Sequence, residues 1–417
     1  MTTNEALSIH QPEDILGYIP HVLGFWPEDS LVAITMQGRV LGATLRVNLP
    51  TPRPPQALAM FADHIRRYLL ADGAADGVVL AVYSEAGWAD STMVNKAAPL
   101  LEALQQSFGE VDLAVRDAWL VGSEFWRSAY CPDESCCPMP GLPVSCIKDS
   151  RLSAEMVYRG SAIGSAPTSP SGQPLNARRG SLDPLVHAAE TRYAEEILDQ
   201  WRSESCLDAV LAVWHHALAK GAAGTFPEPA TDAGLMGLLR TTLKIPAWRD
   251  AVAVMAAAGI GSAKSGAASS GMLSQGGSRK PPFDLGEFGI PSAAAGDTPS
   301  SEARKTGDIF TYGDVLLGMK PEVPHWNHLN ALQHVLAVLC VEGETGEVAA
   351  ASLTLQGWIA WCKGSGSFAY GCLSRVEAAQ PGYRLAELLM GILDQGTICG
   401  WARLPGSAWR GFKGAVV

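Results

Sequence analysis

The hydrophobic period changes once along this 417-residue chain, and that change limits the possible folds more than any other feature. Up to about residue 160, short apolar runs of strand length alternate with amphipathic helical stretches. From Asp183 onward apolar residues recur only at helical spacing. A chain this long exceeds one core and divides into domains. The expectation is an α/β domain over residues 1–160, a Ser/Pro/Gly-rich linker over 161–183 and an all-α domain over 184–400. Residues 401–417 read as a tail.

The stretch Gln11–Val32 organises the first domain. Pro12 with two acids behind it suits a helix start, because carboxylates complement the positive end of the helix dipole. Ile15, Ile19, Val22 and Leu23 lie at helical spacing. Pro20 lacks an N–H and clashes with the preceding turn, which predicts a break there, with Gly24 closing the second turn. Ser30–Met36 is nearly all apolar. After Gln37-Gly38 the residues Leu41, Ala43, Leu45, Val47 and Leu49 alternate, which places them on one face of a hairpin whose first strand is buried on both sides. A helix over Pro55–Leu70, a strand over Val78–Tyr83, a helix over Val94–Phe108 and strands at Val111–Val115 and Ala118–Val121 complete the order ββαβαβ of a mixed sheet. The helical piece SAEMVYRG ends the domain at Gly160.

The second half predicts helices around Val186–Trp201, Leu207–Leu218, Leu235–Leu243, Trp248–Ala258 and Leu329–Leu339, then three further pieces between Glu347 and Gly396. Those last pieces follow the pattern of helical hairpins of the tetratricopeptide kind. Between them, Gly261–Thr306 is dense in Gly, Ser, Ala and Pro and reads as a disordered insertion.

Lys and Arg total 31 against 42 Asp and Glu, a formal charge of −11, which disfavours nucleic acid and anionic membrane surfaces as partners. The apolar, charge-free run Val348–Cys362 is short of the roughly 20 residues that span a bilayer. MTTNEALSIHQPED has neither the basic start nor the apolar core of a leader. These features predict a cytoplasmic protein whose nine cysteines are mostly reduced.

Three blocks, IPHVLGFWPEDSLV, DAWLVGSEFWRSAYCPDESCCPMPG and GWIAWCKGSGSFAYGCLSRVEAAQPGYRLAELLMGILDQG, together resemble the actinobacterial domain-of-unknown-function family 4192. The resemblance covers roughly Asp14–Gly160 and Asp183–Gly396. The Gly/Ser-rich insertion and the tail after Trp401 lie outside it. It implies the two-part fold and a bacterial cytoplasmic setting, and no activity.

Chemistry-bearing residues are few. Cys131, Cys136, Cys137 and Cys146 form the strongest candidate set for a metal, zinc by donor type. Adjacent cysteines rarely reach one ion together, so a redox pair or a reduced Pro-rich loop competes with that reading. A reactive thiol would need a cation such as Arg127 nearby. His21 has acidic company in Asp14, Glu28 and Asp29, and Glu155 and Tyr158 are placed to join it; His21, Asp29, Glu155 and Tyr158 are the candidate pocket. A lone histidine in an apolar run is more simply a hydrogen-bonded core residue. His325 and His328 stand three apart at a helix start and suit a shared metal, but no third ligand is evident in the sequence. GSGSFA joins two helices and so lacks the βαβ setting of a dinucleotide loop. Two functions follow as expectations: a scaffold that presents the helical domain to a protein partner, or a hydrolase or ligand- or metal-binding module with its site near the His21 turn and the cysteine loop.

Overall fold

The computed structural model describes residues 9–50, 54–85, 88, 92–158, 163, 180–229, 231–274, 280–291, 310–395, 397–404 and 406–409. Most of the expected linker, the stretches 275–279 and 292–306 of the expected insertion, and residues 410–417 of the expected tail lie outside these residues. Two compact units emerge. One holds a sheet and its helices; the other holds the helices from Pro184 on, apart from the connection 364–368.

The first unit runs α1 (Pro12–Leu23), β1 (Ser30–Gln37), β2 (Val40–Asn48), α2 (Pro55–Leu69), β3 (Gly77–Tyr83), α3 (Thr92–Gly109), β4 (Ala114–Val121), β5 (Phe125–Ser128), β6 (Leu142–Pro143), α4 (Ser145–Lys148) and α5 (Arg151–Tyr158). Its six strands lie in the order β2-β1-β3-β4-β5-β6. Only β3 and β4 pair in parallel, as their connection through α3 requires. The other four pairings are antiparallel, so the sheet is mixed. Every residue of β3 is buried, which explains its unbroken apolar sequence. Leu31, Ala33, Leu80 and Leu120 of the sheet meet Leu58, Ile65, Leu100 and Phe108 of α2 and α3 in one core.

Three local expectations change. Helix α1 runs through Pro20 without a break. Near the end of the helix the proline removes a single backbone hydrogen bond, and burial of nine of the twelve residues holds the helix together. Gly24 closes the helix in the left-handed conformation (φ 81°), its N–H donating to the Pro20 carbonyl. The hairpin alternation is interrupted by a bulge between Ile34 and Met36. There Thr35 faces two residues of β2, Gly42 and Ala43, and the extra one reverses the facing of β2 across it. Leu45, Val47 and Leu49 therefore reach the core under α2 and α3, while Leu41 leaves that face and Ala43 is exposed. Finally, Val111 sits in a turn and a single strand, β4, replaces the two expected strands; β5 and β6 extend the sheet beyond it.

The second unit comprises α6 (Pro184–Leu198), α7 (Glu204–Ala222), α8 (Ala233–Leu243), α9 (Pro246–Ala258), α10 (Ile260–Ser269), a 3₁₀ turn (Leu285–Phe288), α11 (Tyr312–Leu316), α12 (Trp326–Leu339), α13 (Glu347–Cys362), α14 (Gly366–Ala379), α15 (Arg384–Asp394) and α16 (Gly400–Arg403). Its most extensive pairing joins α6 with α8, and α7 packs on α12, so pairings between helices apart in sequence stand beside the consecutive pair α9 and α10. Gly237 lets α6 and α8 touch: a Cβ there would lie 2.6 Å from the Glu190 backbone nitrogen.

Two stretches expected to lack structure are built into this unit. Helix α10 occupies Ile260–Ser269, inside the expected insertion. Its small residues are a packing device, because a Cβ on Gly266 would strike the Tyr312 ring, whose hydroxyl donates to the Ala263 carbonyl at 2.7 Å. Of the expected tail, Trp401 is fully buried and donates its indole N–H to the Pro321 carbonyl at 2.7 Å. The Ser407 carbonyl accepts from the Trp326 indole at 2.9 Å. Among the described residues no helix is long and apolar enough to cross a membrane.

Candidate functional site

His21 lies one helical turn beyond Gly17 on α1, on the face that meets α4 and α5. The glycine permits that approach: a Cβ at Gly17 would sit 2.7 Å from Ser150 Oγ and 3.2 Å from the Ile147 carbonyl. His21 is thereby carried to α5, where its Nε2 and Ser153 Oγ hydrogen-bond at 3.0 Å. Ser150 Oγ accepts the Ser153 N–H at 3.1 Å and holds the start of α5. His21 and Ser153 are both buried. Burial holds the His21 imidazole below its ordinary pKa, so the ring is neutral at pH 7. A buried histidine beside a serine has the donor set of a nucleophile and base. Here it acts as an interlock, with both partners enclosed in the α1–α5 contact.

The rest of the expected pocket disperses. Helix α5 meets His21 through Ser153. Glu155 is half-buried, and Tyr158 is 87% exposed on the same helix. Asp29 belongs to the turn before β1. Its backbone is left-handed (φ 36°), its carboxylate accepts the Glu85 N–H at 3.1 Å and its carbonyl accepts the Leu49 N–H at 2.9 Å. Asp14 caps α1, accepting backbone N–H groups of His10 and Gln11 at 3.0 and 3.3 Å. Glu28 is the carboxyl that stands out: burial first, then the Glu85 carboxylate, push its pKa up. A raised pKa is not a property that spacing alone can show.

Among the described residues, the cysteine loop is the one group of three donors that could share an ion as they stand. Among the described residues, the sulfurs of Cys131, Cys136 and Cys137 lie within 4.8 Å of one another. Cys146, on α4, is exposed and outside this group. The adjacent pair meets Cys131 because of the turn that starts at Asp133. The Asp133 carbonyl accepts the Cys136 N–H at 3.2 Å and the Cys137 N–H at 2.7 Å. Its carboxylate accepts Ser135 N–H and Oγ–H at 2.8 and 2.7 Å. The chain curls as in a helical turn and presents both thiols to Cys131. The reservation about adjacent cysteines is overcome by this curl. From β5, Arg127 reaches in and donates to the Cys131 carbonyl at 3.3 Å.

Three sulfurs at about 2.3 Å from one tetrahedral ion stand roughly 3.8 Å apart, so the observed spread is close to what zinc requires. Cys137 is buried, Cys131 half-buried and Cys136 exposed, leaving one side of the group open. Hydrogen bonding and charge from Cys137, then from Cys131, push the Cys136 thiol up to about 11. At neutral pH Cys136 keeps its proton until a cation displaces it.

A family described as a domain of unknown function, DUF4192, has a model that matches residues 12–268 and 327–398. No curated protein and no solved structure matches the chain. The unmatched interval 269–326 takes in much of the Gly/Ser-rich stretch, and α10 lies almost wholly before it.

Proposed function

The chain belongs to the DUF4192 family, and from that premise we propose that its α/β unit is a binding module for a thiophilic divalent metal ion, zinc in the first instance, held by Cys131, Cys136 and Cys137. The convergence of three sulfurs within 4.8 Å carries this reading. Three thiolates favour a soft or borderline ion, and the fourth position, on the open side at Cys136, is left to water or to a ligand. Arg127 offsets part of the negative charge that three thiolates bring. The thiols must stay reduced, so the cytoplasm is the compartment that fits.

Elemental analysis of the purified chain tests the reading. About one thiolate-bound zinc per chain is expected, lost in Cys136→Ser and in Cys137→Ser and kept in Cys146→Ser. A disulfide within the trio, with no metal before or after reduction, would overturn it. Binding displaces protons from the thiols, so affinity falls on acidification by roughly tenfold per pH unit for each proton released.

A second reading, a protein partner for the helical unit, draws on Leu317, Met319, Val323 and Leu404, which are exposed apolar side chains. The segments that carry them are tied together by the Trp401–Pro321 hydrogen bond. Met319→Glu with Leu404→Glu should then abolish a complex that the unaltered chain forms.

A further inference from the structure

We propose a second metal site, in the helical unit: His215, His325 and His328 form an imidazole site for a borderline divalent ion such as zinc, nickel or cobalt. The sequence offers His325 and His328 three residues apart and no third ligand. The fold supplies one from 110 residues earlier, because α7 packs along α12. The His215 and His328 ring centroids stand 6.0 Å apart, and those of His325 and His328 stand 5.6 Å apart. Three imidazoles sharing an ion at about 2.0–2.1 Å have centroids roughly 5 Å apart. The observed separations are within about an ångström of that value.

The backbone beneath the rings is fixed. The His325 N–H donates to the Ala257 carbonyl at the end of α9 at 2.9 Å, and the His328 N–H donates to the His325 carbonyl at 2.9 Å. His215 and His325 are exposed and His328 is half-buried, so two rings are free to turn and the third anchors the group. The rings meet edge to face, at 84° and 87°. Unlike the cysteine sulfurs, their nitrogens are not all within 4.8 Å of one another. Loading an ion therefore requires the rings to rotate about their side-chain torsions while α7 and α12 stay in place. Three of the chain's nine histidines are thus linked by ring contacts, with His328 between His215 and His325. Nitrogen donors and an open outer side suit zinc, nickel or cobalt, and disfavour the hard ions magnesium and calcium.

The test uses the full-length, tag-free chain, stripped with a chelator and titrated with cobalt(II), which has different spectra on sulfur and on nitrogen. The expected result is two ions per chain. One gives the thiolate charge-transfer absorption and is lost in Cys136→Ser. The other gives only weak visible bands and is lost in His328→Gln, with affinity down by at least about tenfold. His215→Gln, at an exposed position, repeats the measurement should His328→Gln disturb the helix contact. A chain that binds one ion, lost in either histidine variant and without charge transfer, would sustain this site while removing the thiolate one. Unchanged weak bands and stoichiometry in both histidine variants would overturn the proposal.

Discussion

His21 in the α/β unit and Arg240 in the helical unit are both buried nitrogen bases that join elements distant in sequence, but they do so on different terms. His21 is neutral and ties α1 to α5 through the Ser153 hydroxyl. Arg240 is charged. Its Nε donates to Glu190 of α6 at 2.7 Å, its Nη1 to the Leu339 carbonyl at the end of α12 at 2.6 Å, and its Nη2 to Glu344 at 2.5 Å. Lys244 adds a second cation on Glu190, also at 2.5 Å. Burial works against the Glu190 charge, and Lys244 and Arg240 outweigh it, so the carboxyl lies below its usual range. A sheet satisfies most of its backbone polar groups by strand pairing, and its interior needs few side chains for the purpose. Helices satisfy their backbones one by one, and the links between them must come from side chains. Arg240 reads accordingly as the device that sets which helices meet, in line with the use of buried ion pairs for specificity.

The comparison can be broken most forcefully at Arg240. Arg240→Ala leaves Glu190 buried beside one half-exposed lysine and leaves Glu344 with the Val341 N–H but without its cation. The expected loss is about 3–5 kcal/mol of unfolding free energy, read by chemical denaturation. A loss under about 1 kcal/mol would mean that packing alone selects the helix pairs. On the other side, Gly17→Ala drives a methyl into Ser150 Oγ and the Ile147 carbonyl. It should cost about 1–3 kcal/mol and open the α1–α5 contact to hydrogen exchange.

The smallest effect is the pH dependence of His21. Its pKa in the folded chain lies below the unfolded value of 6.5. As pH drops through 6.5 the unfolded chain takes up a proton that the folded one refuses, so stability falls until the folded pKa is reached. Above 6.5 the contribution is level. His21→Asn should flatten that part of the acid limb of a stability–pH curve while leaving the limb set by Glu190, which titrates lower.

What could be read from the sequence divides along similar lines. β1 and β3 were legible because burial on both faces forces unbroken apolar runs. α2 and α3 were legible because one buried face imposes a 3.6-residue period. The bulge at Ile34–Met36 was hidden, since a one-residue insertion keeps the composition and changes only facing. Helix α10 was hidden for a physical reason: the glycines, serines and alanines that let Tyr312 approach are the residues that make a flexible linker. Of the candidate sites, the cysteine loop could be seen in spacing, although the curl at Asp133 that unites its adjacent pair could not. Ser153 as the partner of His21, and His215 as the neighbour of His328, depend on helix contacts across 132 and 113 positions, which no local pattern encodes.

The placement of Trp401 has an optical consequence. Its ring lies edge-on to Trp326 at 6.3 Å and to Trp358 at 6.4 Å, and Lys363 rests over Trp409 at 4.7 Å. The family match ends at residue 398, short of two of these rings. A chain stopped there would retain every long helix of the second unit, yet Trp326 would lose the Ser407 carbonyl that its indole bonds, and water would reach Trp358. Tryptophan emission that shifts to the red on such a cut would mark the last ten described residues as the closing piece of the helical core.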